Sequence, residues 1–129
     1  NHTADIGVIA YGKTLEKLFE NTAFGMFSLI TPIGKVKEKT VISIAADAAD
    51  YEGLLISFLN ELQYYYSVKK MFFKRFEILT LTKTHLDANI SGEKISGHEI
   101  THDIKAATYH NLKIEKTTDG YKTQIIFDV

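Results

Sequence analysis

Three groups of residues in this 129-residue chain have types and spacings that could do chemistry. His98-Glu99-Ile100-Thr101-His102 matches the zincin pattern, in which two histidines hold zinc and the glutamate between them acts as a base. That chemistry needs a helix, because a spacing of four then puts both rings on one face, and it needs a third ligand. Gly92 and Gly97 precede the motif and few apolar residues flank it, so the expected setting is a polar loop. The second group is Lys69, Lys70, Phe72, Phe73, Lys74, Arg75 and Phe76, where interleaved cations and aromatics could track phosphates and stack bases. The competing reading, which the sequence favours, is an amphipathic strand with solvated cations, since the glycines of the RNA-recognition signature are absent. The third group is a pair at opposite ends of the chain, Asp5 and Asp128. If the first and last strands are neighbours, two carboxylates converge into an oxygen-rich site for a hard cation such as calcium or magnesium.

Composition narrows the classes. No cysteine is present, so disulfides, thiolate zinc sites and cysteine nucleophiles are excluded. Fifteen basic residues face sixteen acidic ones, unlike a protein that grips phosphate backbones by itself. No apolar run approaches the ~20 residues needed to cross a bilayer. No secretion signal opens the chain, and a cytoplasmic setting is expected. The first residue is Asn1 rather than Met, so native residues are expected before it.

The elements that must position these groups read as βαβα followed by four strands. A first strand carries Ile6, Val8 and Ala10 on one parity and ends at Gly12. Thr14 then caps a helix whose stripe is Leu15, Leu18, Phe19, Ala23, Met26, Phe27 and Ile30, and Pro32 stops it. A strand over Thr40 to Ala46 leads to a second helix, capped by Asp50, with an inward stripe of Tyr51, Leu54, Leu55, Phe58, Leu59 and Leu62. The period then changes to two. Strands are predicted over Phe72 to Leu81, His85 to Ser91, Ala106 to Lys116 and Tyr121 to Val129, with a loop from Gly92 to Asp103 and a hairpin turn at Asp119-Gly120. His110 shares the parity of Leu112 and Ile114 and is expected as a hydrogen-bonded core histidine. Lys105 points away from that face, within reach of Asp103. The predicted class is α+β: a single domain, 1–129, with a largely antiparallel sheet and two amphipathic helices packed on one face.

Several blocks, in order along the whole chain, resemble the archease family. They are His2-Thr3-Ala4-Asp5-Ile6-Gly7, Thr14-Leu15-Glu16-Lys17-Leu18-Phe19-Glu20, Phe58-Leu59-Asn60-Glu61-Leu62, Ile104-Lys105-Ala106-Ala107-Thr108-Tyr109-His110 and Ile126-Phe127-Asp128-Val129. The resemblance implies an accessory factor rather than a catalyst. Its partner is the GTP-dependent RNA ligase of tRNA splicing, which joins 3′-phosphate or 2′,3′-cyclic phosphate ends to 5′-hydroxyl ends. The archease promotes guanylylation and multiple turnover of that ligase. The resemblance also implies a divalent-cation site built from Asp5 and Asp128 with a main-chain or terminal oxygen of Val129. Calcium is the expected ion, with magnesium or manganese as alternatives. His2, His98, Glu99 and Lys105 are the implied partner-facing or activating residues, and tRNA is met only through the ligase, with neither stable direct nucleic-acid binding nor a membrane role. His102 falls outside the family pattern, which weakens the alternative of a small metal-dependent hydrolase using His98, Glu99 and His102. Two departures, Ser57 and the run Lys94-Ile95-Ser96, stand where the family often carries aspartates, which puts further carboxylate ligands there in doubt. The family's usual short strand before the histidine-threonine motif lies outside this sequence.

Overall fold

The computed structural model describes residues 5–129. Strand β1, Asp5–Gly12, opens it. Helix α1, Leu15–Ile30, starts where the Thr14 hydroxyl accepts the Lys17 N–H at 3.1 Å, with Glu16 in the dipole-favoured first turn. It stops at Thr31, just before Pro32, and a single 3-10 turn follows at Ile33–Lys35. Strand β2, Thr40–Asp47, leads to helix α2, Tyr51–Ser67, whose Asp50 cap accepts the Gly53 N–H at 2.7 Å. Five strands complete the chain: β3, Met71–Leu81; β4, His85–Lys94; β5, Ala106–Thr108; β6, Ile114–Thr117; and β7, Gly120–Asp128.

The α+β class and the two helices are as expected from the pattern, and the strands divide into two antiparallel sheets. One has the order β1-β7-β5, with β6 also pairing β7, and the other has the order β2-β4-β3. The helices span the sheets: α1 packs on β1 and β3, and α2 on β2 and β5. Both expected apolar stripes are interior. Leu18, Phe19, Ala23, Met26, Phe27 and Ile30 of α1 and Leu54, Leu55, Phe58, Leu59 and Leu62 of α2 are buried, and Phe19 stacks on Phe58 with ring centroids 6.4 Å apart.

Three expectations need correction. The predicted strand over Ala106 to Lys116 is two strands, β5 and β6, because Asn111 takes a positive φ of 54° in a turn between them. His110 falls in that turn and is exposed, so it is not a core histidine; alternation through a turn carries no facial information. The loop begins only after Lys94, since Gly92 continues β4. There a Cβ would collide with the Phe72 carbonyl of β3, so only glycine lets the two strands approach.

The aromatic run in β3 is core, not a base-stacking platform. Phe72, Phe73 and Phe76 are all buried. Neighbouring residues of a strand ordinarily point to opposite faces. Phe73 meets the Phe27 ring edge-on at 5.6 Å, whereas Phe72 stacks on Tyr66 at 5.8 Å and takes the His98 ring edge-on at 5.6 Å. Register shifts at Phe73/Arg75 and Ile78/Thr80 then reset the alternation. The 95–105 loop therefore covers the side of β3 that carries Phe72.

One polar cluster lies far from the ends of the chain. His85 at the start of β4 puts Nδ1 2.7 Å from Asp47 and Nε2 3.0 Å from Asp87. Hydrogen bonds to Asp47 first and Asp87 second hold the imidazole pKa above its ordinary value. Its stabilising contribution should be complete below the unfolded pKa of about 6.5 and should fade as pH rises through the higher folded value. Thermal melts of the wild type and His85→Asn across pH should differ most on the acidic side and converge on the alkaline side. A gap that widens with rising pH would contradict this pairing.

Candidate functional site

Strands β1 and β7 pair antiparallel along their whole length, with Asp5 directly opposite Asp128. The expected convergence of the two aspartates is thus a property of the register. Side-chain parity fixes the face. Thr123, Ile125 and Phe127 of β7 are buried, as is Ala10 of β1, so they face the helices. Asp5, Gly7, Ile9 and Tyr11 lie on the opposite, exposed face, in register with Asp128, Ile126, Gln124 and Lys122.

Main-chain hydrogen bonding sets how close the carboxylates come. The Asp128 carbonyl accepts the Lys105 N–H at 2.8 Å, on the β5 side. The N–H and C=O of a strand residue point to the same side, so those of Asp128 face away from β1. Asp5 and Asp128 therefore form a non-hydrogen-bonded pair, the closer type, with Cα atoms about 4.5 Å apart. Like charges directly opposite on one sheet face are destabilising. Two carboxylates there, with a main-chain oxygen of Val129 next in sequence, would offer a cation oxygen donors only. That suits a hard cation such as calcium or magnesium better than zinc. Among the described residues no group of three His, Cys, Asp or Glu side chains is placed to hold a metal ion, so water or a partner must complete any coordination shell.

The neighbouring segment is held by α2 through a feature that sequence reasoning missed. Asn60 receives the Ala107 N–H on Oδ1 at 2.8 Å and returns its Nδ2 to the Ala107 carbonyl at 3.3 Å. Its side-chain amide acts as one more peptide unit along the free side of β5. Gln63 donates to the Ile104 carbonyl at 3.2 Å, and the Tyr66 hydroxyl donates to Asp103 at 2.7 Å. The three follow at intervals of three residues, one polar seam along an apolar helix, and that periodicity was the available signal. The seam fixes residues 103–107 against β7 and so places Lys105 beside Asp128. Lys105 is exposed and pairs with Asp103 at 3.2 Å, as expected. The Tyr66 hydroxyl first, then Lys105, hold Asp103 below its ordinary carboxylate range, while burial and then Asp103 push the Tyr66 phenol up. Asn60→Leu should cost about 1–3 kcal/mol, because both Ala107 main-chain groups lose their partner in a part-buried setting. An unchanged midpoint in urea would show that water replaces the amide without loss.

His2 lies outside the described residues. His98, Glu99 and His102 sit on an irregular loop, so the helical spacing a zincin needs is absent. His98 Nε2 lies 2.8 Å from Glu93, which also accepts the Lys37 N–H at 2.9 Å and faces Lys39 at 3.5 Å. The Lys37 N–H first, then His98 and Lys39, hold Glu93 below its ordinary range. The histidine is thereby committed to holding the loop on Phe72. The Glu99 carbonyl accepts the Thr31 hydroxyl at 2.6 Å and the Thr101 N–H reaches the Ile30 carbonyl at 2.6 Å, so the loop also closes the end of α1. The Glu99 side chain is exposed.

The sequence matches the archease protein family (MTH1598/TM1083) over residues 1–129. The chain belongs to the archease family. It is 38% identical over 134 residues to Protein archease of Methanosarcina acetivorans, covering 99% of this chain and 92% of that one. It is 41% identical over 131 residues to Protein archease of Saccharolobus islandicus, covering 99% and 94%. The solution structure of Methanobacterium thermoautotrophicum protein 1598 superposes with a TM-score of 0.76 at 31% identity, covering 100% of this chain and 95% of that one. The crystal structure of a Thermotoga maritima archease, described as a possible chaperone, shares the fold with a TM-score of 0.72 at 24% identity, covering 99% and 93%. No helix among the described residues of this archease is long and apolar enough to cross a membrane.

Proposed function

We propose that this archease is an accessory factor for the GTP-dependent RNA ligase of tRNA splicing, acting in the cytoplasm on the ligase rather than on RNA directly. The observation that carries the reading is the direct pairing of Asp5 with Asp128 on an exposed sheet face. A guanylylation site combines a nucleotide triphosphate with metal ions, and exposed paired carboxylates suit delivery or retention of a divalent cation there. Asp5, Asp128 and a main-chain oxygen of Val129 would hold the cation, calcium first and magnesium or manganese as alternatives. When bound, it would supply positive charge against phosphate oxygens. The side chains of Lys105 and Glu99 are exposed for contact with the ligase, while His98 acts from beneath by holding the loop.

Single-turnover guanylylation of a cognate ligase, with and without this protein and with and without calcium, tests the proposal. Faster formation of the guanylylated ligase is expected only when protein and cation are both present. A rate indifferent to the protein would refute it. The hydrolase alternative makes a different forecast for His102. Because that residue falls outside the family pattern and stands on an irregular loop, His102→Ala should leave ligase stimulation nearly intact. A zinc-dependent peptidase activity that disappears in this variant would overturn the ligase reading.

A further inference from the structure

At Asp128 the main chain is held on one side only. Asp128 forms a non-hydrogen-bonded pair with Asp5, and its carbonyl accepts the Lys105 N–H at 2.8 Å on the opposite side. The separation of the two carboxylates therefore depends on β5 as well as on the β1–β7 ladder. β5 sets Ala106 opposite Asp128, Ala107 opposite Phe127 and Thr108 opposite Ile126, and β7 is its one strand neighbour among the described residues. A three-residue strand with a single neighbour does not hold its place by its own ladder.

What holds β5 on its other side is α2. Asn60 Oδ1 accepts the Ala107 N–H at 2.8 Å, and its Nδ2 donates to the Ala107 carbonyl at 3.3 Å. Gln63 donates to the Ile104 carbonyl at 3.2 Å, just before the strand. At the far end the Thr108 hydroxyl donates to the Ile126 carbonyl at 2.9 Å and ties β5 to β7. Leu59 and Leu62 beside these amides are fully buried, so Asn60 and Gln63 project from a stretch of helix locked in the core. Hydrogen-bonded parts thus run without a break from the rigid helix through β5 to Asp128.

We infer that Asn60, seconded by Gln63, is a positioning residue for divalent-cation binding: acting through β5, it sets where Asp128 stands relative to Asp5. The inference rests on the reading of Asp5 and Asp128 as ligands of the cation. Without the Asn60 amide, both Ala107 main-chain groups turn to water and β5 loses its hold on the helix. The Lys105 N–H is then no longer a fixed partner for the Asp128 carbonyl. The two carboxylates must be brought into place at the moment of binding, and that ordering cost lowers affinity. A purely structural asparagine would behave differently, since its loss would lower stability and leave the calcium affinity of the folded molecules unchanged.

Calorimetric titration of calcium into the whole folded chain tests this. Asn60→Leu, close in shape but without the hydrogen bonds, should raise the calcium Kd about tenfold, as loss of a residue that orients a metal ligand does. Gln63→Met should raise it severalfold. Ile90→Val is the control: it trims a fully buried side chain of β4, in the other sheet, and so lowers stability without touching β5. Its Kd should match the wild type. In Asn60→Leu, deuterium exchange at the Lys105 amide should accelerate more than at the Ile90 amide, which reports opening of the core. A Kd unchanged in Asn60→Leu, or raised equally in Ile90→Val, would overturn the inference and leave the cation reading standing. If Asn60→Leu does not fold, Gln63→Met carries the same test, and an unchanged Kd there overturns the inference. A wild type that binds none of calcium, magnesium and manganese overturns the cation reading and this inference with it.

Discussion

Asp5→Asn and Asp128→Asn should each abolish the stabilisation that calcium confers and most of the ligase stimulation, while leaving the ion-free protein folded. The two carboxylates oppose one another in a non-hydrogen-bonded pair, so without a cation each is a like-charge neighbour of the other. Replacing one with its isosteric amide removes that repulsion, and the ion-free melting temperature should hold or rise slightly. A bound cation stabilises the native state by RT ln(1 + [L]/Kd), about 2.7 kcal/mol at a hundredfold excess over Kd. That increment should vanish in either variant, because half of the anionic ligand set is gone. Thermal melts with and without calcium, paired with single-turnover guanylylation, read both effects. If both variants keep full stimulation, the site is elsewhere on the molecule, whatever its family. If stimulation is lost but the calcium shift persists, the carboxylates contact the ligase without holding the cation.

The second large effect belongs to the core. Phe58 is fully buried in the middle of α2 and stacks on Phe19 of α1, where the two helices meet above the sheets. Phe58→Ala should destabilise the protein by about 3–5 kcal/mol, the sum of lost transfer energy and an unfilled cavity between elements that cannot collapse together. Urea denaturation reads it as a lower midpoint at unchanged m-value. An unchanged midpoint would mean that Phe58 does not bridge the helices.

Legibility in the sequence followed the strength of local periodicity. Both helices were readable because their apolar stripes run for several turns between clear caps, Thr14 and Asp50. β1, β2 and β7 were readable because one face is buried and the other wet, which makes alternation strict. The break between β5 and β6 was not, since three residues of strand, a turn and four more imitate one long alternating run. Division into two sheets was equally hidden, because local pattern reports which face is buried and not which strand lies alongside. The aspartate pair could be posed only as a condition, that the first and last strands be neighbours. The role of Asn60 was missed because a side-chain amide bonding a distant backbone leaves no mark beyond a polar residue on an apolar helix.

The pairing of Asp5 with Asp128 joins positions about 120 residues apart, a contact of very high sequence separation. Contacts of that kind carry the largest loop-closure cost, and a chain that depends on them completes them late. The proposed cation site would then be absent from early folding species and from any ribosome-bound chain that still lacks β7. An ion held there would act chiefly on the unfolding rate and hardly on the folding rate, because its ligands are not yet together at the transition state. Calcium should lengthen the lifetime of the finished protein without hastening its formation, and only molecules that have closed the β1–β7 ladder would be competent to carry the ion to a ligase.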